Sequence, residues 1–407
     1  MWRYTPIDRL ALEDFAPDPA GDAPPTAVPA ASDLLEALTA DIGRTAGTVL
    51  VHNGHVVQRG GPAAGTAGTT FDFGTAADVP AAREMLGSVQ EGGDALVRLN
   101  DAFTPEPVFV DVPAGVAVDG PLLVVHWCDG SATFPRLCVR AGTGAAVSVV
   151  EVFAGAGVGA GGGTGAGGDE RALVVPVTEL AAADDAVVSY VSLQILGPEA
   201  WSLGRLAARG GAKCSLRTFT VGLGASYGRV RADVTLDGKE GTCEVLSAYL
   251  GDDNQVHDIR TLQDHVAPRT TSNLLCQGAV AGTSSSVYSG LIRVHRGAVK
   301  SDARQTNHNL VLDEGAHADS VPNLDILEND VSCSHASTVG PIDEDQRYYI
   351  ESRGVAPEVA EGLIVRGFFD AIIDRGPVPE VTGVLEREVH TRLDVALRDH
   401  EVVAAGG

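Results

Sequence analysis

Between residues 105 and 340 the chain is a succession of short β-branched runs cut by Gly and Asp, and no long helical period can be found there. The runs 108–112 (Val-Phe-Val-Asp-Val), 122–126, 146–152 and 186–191 are typical. So many short strands fit a stacked solenoid, a sandwich or a barrel. A parallel β-helix suits this one best, because stacked coils share a continuous narrow interior that Ala, Val and Gly can fill. A turn signature of Gly and a small residue recurs at Gly144, Gly211, Gly241, Gly297 and Gly315. Its spacings of 67, 30, 56 and 18 residues are too irregular to fix a repeat.

The ends of the chain differ from this middle. Residues 1–100 mix loop and helix, with a Pro/Ala/Asp-rich flexible stretch at 17–31 and a helix expected to start with Ser32 as its N-cap. Asn53-Gly54 between apolar runs predicts a hairpin with a type I′ turn over 48–57. A second helical stretch is expected at 81–98. Residues 343–407 turn helical. Asp343-Glu344-Asp345 sets acid at a helix start, Gly354 ends that helix, and Pro357 opens the next. The second carries an expected apolar stripe of Val359, Leu363, Ile364, Phe368 and Ile372, and a third helix spans 381–400. The expected organisation is therefore an N-terminal mixed region (1–100), a β-helix core (101–342) and a C-terminal helical domain (343–407). Any apolar helix face left over would dock a partner.

Charge and motifs exclude several function classes. With 29 Lys and Arg against 54 Asp and Glu, the formal charge is −25, which disfavours nucleic acid and anionic membranes. No run approaches the roughly 18 apolar residues of a membrane span. The opening residues carry no apolar signal segment, and six dispersed cysteines without a CxxC pair suggest no disulfide framework, so the expected compartment is the reducing cytoplasm. The Gly/Ala run at 154–168 lacks the Lys and Ser/Thr of a phosphate loop, and reads as a surface loop. The chain is expected to bind no nucleotide itself.

The densest polar patch is 289–353, with Arg293, His295, Lys300, Asp302, Arg304, Asn307, His308, Asn309, His317, Asp325, Cys333 and His335 among its members. Most of its acids and arginines read as solvated coil faces. Cys333-Ser334-His335 is sharper. Residues two apart on a strand face the same way, and thiolate with imidazole is a ligand pair for zinc or iron–sulfur chemistry. Two ligands do not close a site, so His308, His317, an acid or another chain would have to contribute. The bland reading is a buried Cys beside a hydrogen-bonded His. By spacing alone, His126-Trp127-Cys128 reads as packing, and His52 and His55 read as solvated turn residues.

Several ordered motifs then resemble one family. They are Ser289-Gly290-Leu291-Ile292-Arg293-Val294; Lys300-Ser301-Asp302-Ala303-Arg304-Gln305-Thr306-Asn307-His308-Asn309-Leu310; Pro322-Asn323-Leu324-Asp325-Ile326; Cys333-Ser334-His335-Ala336-Ser337-Thr338-Val339-Gly340; and Tyr349-Ile350-Glu351-Ser352-Arg353-Gly354-Val355. In order, these resemble the SufB/SufD family of the Suf iron–sulfur assembly system, as does the opening Trp2-Arg3-Tyr4-Thr5-Pro6 more loosely.

The resemblance implies a right-handed parallel β-helix flanked by helical segments. It implies a heterodimer with the paralogue and docking of a SufC-like ATPase on the C-terminal helices, with a homodimer open in isolation. A transient iron–sulfur cluster would form at the SufB–SufD interface, where His335, with Cys333 beside it, takes the place of the family's SufD interface histidine. The run Gln305-Thr306-Asn307-His308-Asn309 lacks the cysteine of SufB's Thr-Gln-Cys-Asp-Ser motif, and the resemblance is therefore nearer SufD. The expected role is a non-catalytic scaffold subunit. A SufB-like scaffold, a β-helix enzyme acting on polysaccharide and a structural homo-oligomer are the alternatives. At 5% aromatic residues, the chain is poorly stocked for a sugar-binding groove.

Overall fold

The structure, a computed structural model, describes residues 5, 7–17, 28–61, 71–90, 94–155 and 171–405, without the side chains of 398–405. Most of the Gly/Ala run, from 156 on, lies outside the described residues, as do residues 18–27 of the expected flexible stretch and residues 1–4 and 6 of the opening motif.

The described core is a β-solenoid of two facing sheets, one of ten strands and one of eleven. From Val177 onward alternate strands along the chain go to alternate sheets, so each of these coils contributes one strand to each. Within both sheets successive coils pair in parallel register. Ser215, Thr242, Thr271, Asp302 and Ser332 stack in one sheet, and Tyr227, Val256, Ser285 and His317 in the other. Over these strands the coil varies between 27 and 32 residues, and it lengthens to 41 between Arg136 and Val177, where the Gly/Ala run intervenes. Strand positions are kept in register while the turns change length, and a fixed sequence period does not survive that.

One corner repeats its geometry. Asp185, Lys213, Glu240, Arg269 and Lys300 all take positive φ, between 55° and 65°. A left-handed non-glycine residue costs about 1–2 kcal/mol. The corner offsets this by sending each N–H to the next coil, as in Lys213 N to Lys239 O and Arg269 N to Val299 O, both 2.9 Å.

The main core lies between the sheets and includes Val124, Val149, Leu180, Leu216, Val245 and Leu274. A second core lies outside the ten-stranded sheet. There Phe219, Val221 and Leu246 pack under three helices, Pro29–Ile42, Pro357–Ile373 and Thr382–Ala405.

The local expectations are met unevenly. The hairpin forms as Gly47–His52 and His55–Gly60, with φ of 48° at Asn53 and 88° at Gly54, the two positive values a type I′ turn demands. Asp343 caps Glu344–Glu351 by accepting from the N–H groups of Asp345 and Gln346, and Pro357 opens its helix at N1. Ser32 is not an N-cap. The helix begins at Pro29 after Val28, because the proline ring already holds the φ of a first turn, and the Ser32 hydroxyl bonds Gln58 instead. The stretch 81–98 is split into Ala82–Met85 and a separate helix Ala95–Phe103, capped by Asp94. In Pro357–Ile373 the buried face is Ala360, Val365, Phe369, Ile372 and Ile373, while Val359 and Leu363 are more than half exposed. That helix packs on both a sheet and a neighbouring helix, which shifts the buried face away from a simple stripe.

Two interior histidines carry a pH prediction. Burial pushes His257 and His265 down to about 4 from the usual 6.5. Between pH 6.5 and 4 the unfolded chain therefore binds more protons, and stability falls as pH falls through that window. Each imidazole accounts for about 3 kcal/mol by pH 4. Guanidinium unfolding at pH 7.5, 6 and 4.5 should show a stability plateau above 6.5 and a steep loss below it. A flat profile down to pH 4.5 would contradict the buried neutral state.

Candidate functional site

The two ends of the solenoid are not alike. At one end antiparallel strands close the sheets: His55–Gly60 covers Gly47–His52, and Asp72–Gly74 covers Val108–Val112. At the other end the last strands, His317–Ile326 and Ser332–Gly340, pair on one side only among the described residues. Ser332–Gly340 is exposed along most of its length.

Cys333 and His335 stand on this last strand. Register puts Cys333 beside Ala303 and His335 beside Gln305. Followed back through the coils, the His335 column reads Gln305, Leu274, Val245, Thr218, Tyr190 and Val149, and the Cys333 column reads Ala303, Ser272, Cys243 and Leu216. Leu274, Val245, Tyr190, Cys243 and Leu216 belong to the core between the sheets. Both site residues therefore occupy inward positions of a rung that no further coil covers. His335 is exposed, and Cys333 is half-buried against Ile292, Val294, Ala303 and Ile326. Desolvation raises the Cys333 thiol, and the Asp302 carboxylate raises it further, so it stays protonated until something displaces that proton.

Beneath this rung the interior turns polar. Gln305, Asn307 and Asn309 are almost wholly buried. Asn307 and Asn309 bond each other (2.9 Å), Asn309 also accepts from the Tyr249 hydroxyl, and Ser320 Oγ donates to Asn307 Oδ1 (2.8 Å). Ser337 Oγ donates to Ser320 Oγ at 2.6 Å, which ties the last strand of one sheet to the last strand of the other. Behind Cys333, His265 joins Thr270 and Ser272 through its two ring nitrogens, each at 2.7 Å. These networks tie the strand that carries His335 to a hydrogen-bonded base, although the buried Gln305 amide directly beneath His335 has no partner of its own.

The other candidate ligands do not converge here. His308 registers with Gln277 and Thr338, on positions alternate to those of Cys333 and His335, and His317 pairs with Asp319 at 3.2 Å. Among the described residues no group of three or more His, Cys, Asp or Glu is placed to hold a metal ion.

Some readings from sequence need correcting. His52 is not solvated: its ring is mostly buried and bonds Asp129 Oδ1 at 2.7 Å. Gln305, Asn307 and Asn309, which the solvated-face reading of the acids and arginines did not cover, are interior residues. The signal was present as Gln305, Asn307 and Asn309 at alternate positions. Sequence reasoning missed a buried cluster of Glu151 with His126 (2.9 Å), Thr178 (2.8 Å) and Tyr190 (2.5 Å). Its partners lie far apart in the chain, and only the coil register joins them. His126, Glu151 and Tyr190 are each 1–2% exposed, which suits a structural tie rather than contact with a substrate.

A groove of about 730 Å³ runs along the outer face of the eleven-stranded sheet. Its carboxylates are engaged: Asp233 pairs with Arg205 (2.9 Å) and Arg231 (3.0 Å), and Asp264 pairs with His295 (2.9 Å). It offers no free acid pair of the kind glycoside hydrolysis uses.

Comparison with known proteins agrees with these features. Residues 125–368 match the family model described as SUF system FeS cluster assembly, SufBD core domain. An iron-sulfur cluster assembly SufBD family protein of Mycobacterium tuberculosis (strain ATCC 25618 / H37Rv) is 31% identical over 405 residues, covering 97% of this chain and 88% of that one. One from Mycobacterium leprae is 42% identical over 174 residues, 41% of this chain and 44% of the relative, so there the match spans less than half the relative's length. The iron-sulfur cluster assembly protein SufD of Bacillus subtilis is 28% identical over 316 residues, 75% of this chain and 69% of that protein.

Proposed function

The chain belongs to the SufB/SufD family of Suf-system iron–sulfur cluster assembly proteins, and on that premise we propose that it is the SufD-like, non-catalytic scaffold subunit of its complex. Its partners are a SufB-like paralogue and a SufC-like ATPase. His335, assisted by Cys333, faces the nascent cluster at the seam between the paralogues.

One observation carries the pairing. Natural sheets blunt exposed edges with charge, proline or bulges. Ser332–Gly340 has no Lys, Arg, Asp, Glu or Pro over nine residues, and its outer edge is open. Such an edge is built to accept another strand. The neighbouring edge, His317–Ile326, does carry Pro322, Asp319 and Asp325 and is the less suited of the two. The strand that invites pairing is therefore the one that bears His335.

The SufD-like assignment draws on the cysteines and on the Bacillus relative. Five of the six cysteines are buried, Cys333 is half-buried, and the run 305–309 has none. A SufB-like role would ask this chain for a reactive thiolate. The docking of the ATPase draws on the C-terminal helices, where Tyr348 (73%), Tyr349 (60%), Val359 (55%) and Leu363 (52%) are exposed together on adjoining helices. A solvated helix pair has no need of four such side chains.

Backbone geometry supplies the test. Ser332 N donates to Ser301 O, so the N–H groups of the alternate residues 333, 335, 337 and 339 point to the unpaired side. Ser337→Pro removes one outward donor and spares the inner ladder. Paralogue association, measured by titration against the co-produced partner, should weaken at least about tenfold, a loss of about 1.4 kcal/mol. The Ser337→Ala control, which removes only the hydroxyl, should bind nearly as wild type. Equal binding of the proline variant would sink the pairing proposal.

A further inference from the structure

Between the sheets, midway along the solenoid, lies a cavity of about 50 Å³. Three inward strand positions around it are glycine: Gly204, Gly222 and Gly228. Glycine in a strand is destabilising against alanine, so each needs a reason. Backbone strain is not the reason, since none of the three has positive φ. Collision is not the reason at two of them. A Cβ on Gly222 would come 3.5 Å from His257 Nδ1, and one on Gly228 would come 3.4 Å from the same atom, both ordinary contacts. The glycines leave space, and His257 is the side chain that borders it.

His257 is fully buried, and its Nε2 has no hydrogen-bond partner. A buried ring nitrogen without a partner is destabilising. The wall around it is rich in hydroxyls, from Ser192, Ser202, Thr220 and Ser247. At one end of the cavity stand Thr178 and Tyr190, which bond the buried Glu151. One rung toward the open end stand Tyr249 and Tyr288, both 0% exposed. Tyr249 stacks on His257 with ring centroids 5.4 Å apart and lies across Gly278, where an added Cβ would be 2.0 Å from its ring. Tyr249 thus covers the His257 ring on that side.

We infer that this cavity is a binding site for water and for other neutral, hydrogen-bonding molecules of that size, organised by His257 and the surrounding hydroxyls. Empty protein cavities are apolar, whereas a wet one needs room and two to four polar partners per water. At about 10–15 Å³ for each water, the volume takes about three to five. The guests sit against the His257 ring on its Nδ1 side and among the surrounding hydroxyls, and they join the Glu151 cluster to the middle coils as one polar unit. The inference is independent of the family reading and survives if the scaffold role fails.

The test is on the full chain. Oxygen-17 and deuterium relaxation dispersion counts long-lived internal waters, and a crystal under xenon pressure reports whether the cavity is dry. The wild type should show no xenon density between Gly222 and His257. The Gly222→Ala/Gly228→Ala variant, whose methyl groups occupy the space, should hold at least two fewer long-lived waters. Xenon bound beside His257 in the wild type overturns the inference, as does an unchanged water count in a folded double variant. If the double variant does not fold, the xenon experiment on the wild type decides alone.

Discussion

Glu179→Ala should cost the protein about 3–5 kcal/mol of stability, the largest single loss expected outside the functional seam. Glu179 and Arg136 form an ion pair whose side chains are each 1% exposed. Glu179 also accepts from the backbone N–H groups of Gly87 (2.9 Å) and Val89 (3.0 Å). Arg136 reaches further, to Asn100 Oδ1 (3.0 Å) and Asp101 Oδ1 (2.9 Å), and Asn100 bonds the carbonyls of Pro135 and Val175. One buried carboxylate thus latches the segment around Gly87 and the helix Ala95–Phe103 to the outer face of the eleven-stranded sheet. Without it, Arg136 keeps a buried charge facing only the half-exposed Asp101. The desolvation of that charge, rather than the lost attraction, sets the penalty. Guanidinium unfolding measures the loss, and proteolysis should cut the loosened N-terminal segment first. The double variant Arg136→Met/Glu179→Leu should recover much of the stability, since it buries no unpaired charge. A loss below about 1 kcal/mol for Glu179→Ala would show that the latch is dispensable.

The same latch shows where the sequence was legible and where it was not. Signals confined to a few adjacent residues came through: the Asn53-Gly54 turn, the Asp343 cap, the Pro357 helix start and the strand-rich middle. Each is decided by local backbone chemistry. Pairings between coils were hidden. Arg136 with Glu179, and His126 with Glu151, are 43 and 25 residues apart, and the turn between coils varies in length. The stacked columns also change character along the axis. The His335 column passes from Val245 and Leu274 to Gln305 before it reaches the imidazole, so no residue type repeats to betray the register. The Cys333-Ser334-His335 spacing correctly put two side chains on one face. Spacing could not tell that the face belongs to an uncovered rung. That follows only from the count of coils and from the missing neighbour beyond Ser332–Gly340.

The proposed role of His335 depends on that missing neighbour. An inward side chain on a covered rung would be locked in the core; on the last rung it is exposed yet held on a fixed strand. Preorganisation of this kind suits a ligand that must meet groups from another chain. Within the chain His335 makes no side-chain hydrogen bond among the described residues, so its removal should leave the fold intact. Cys333 should matter less. Its thiol is raised and half-buried, and a ligand role would require loss of that proton as metal binds.

The most direct measurement is the iron and acid-labile sulfide content of the complete complex, co-produced with its paralogue and ATPase and purified without oxygen. With His335→Ala the complex should assemble at unchanged stoichiometry, and its iron, sulfide and cluster absorbance should fall at least about tenfold. Wild-type iron and sulfide in an intact His335→Ala complex would contradict the account.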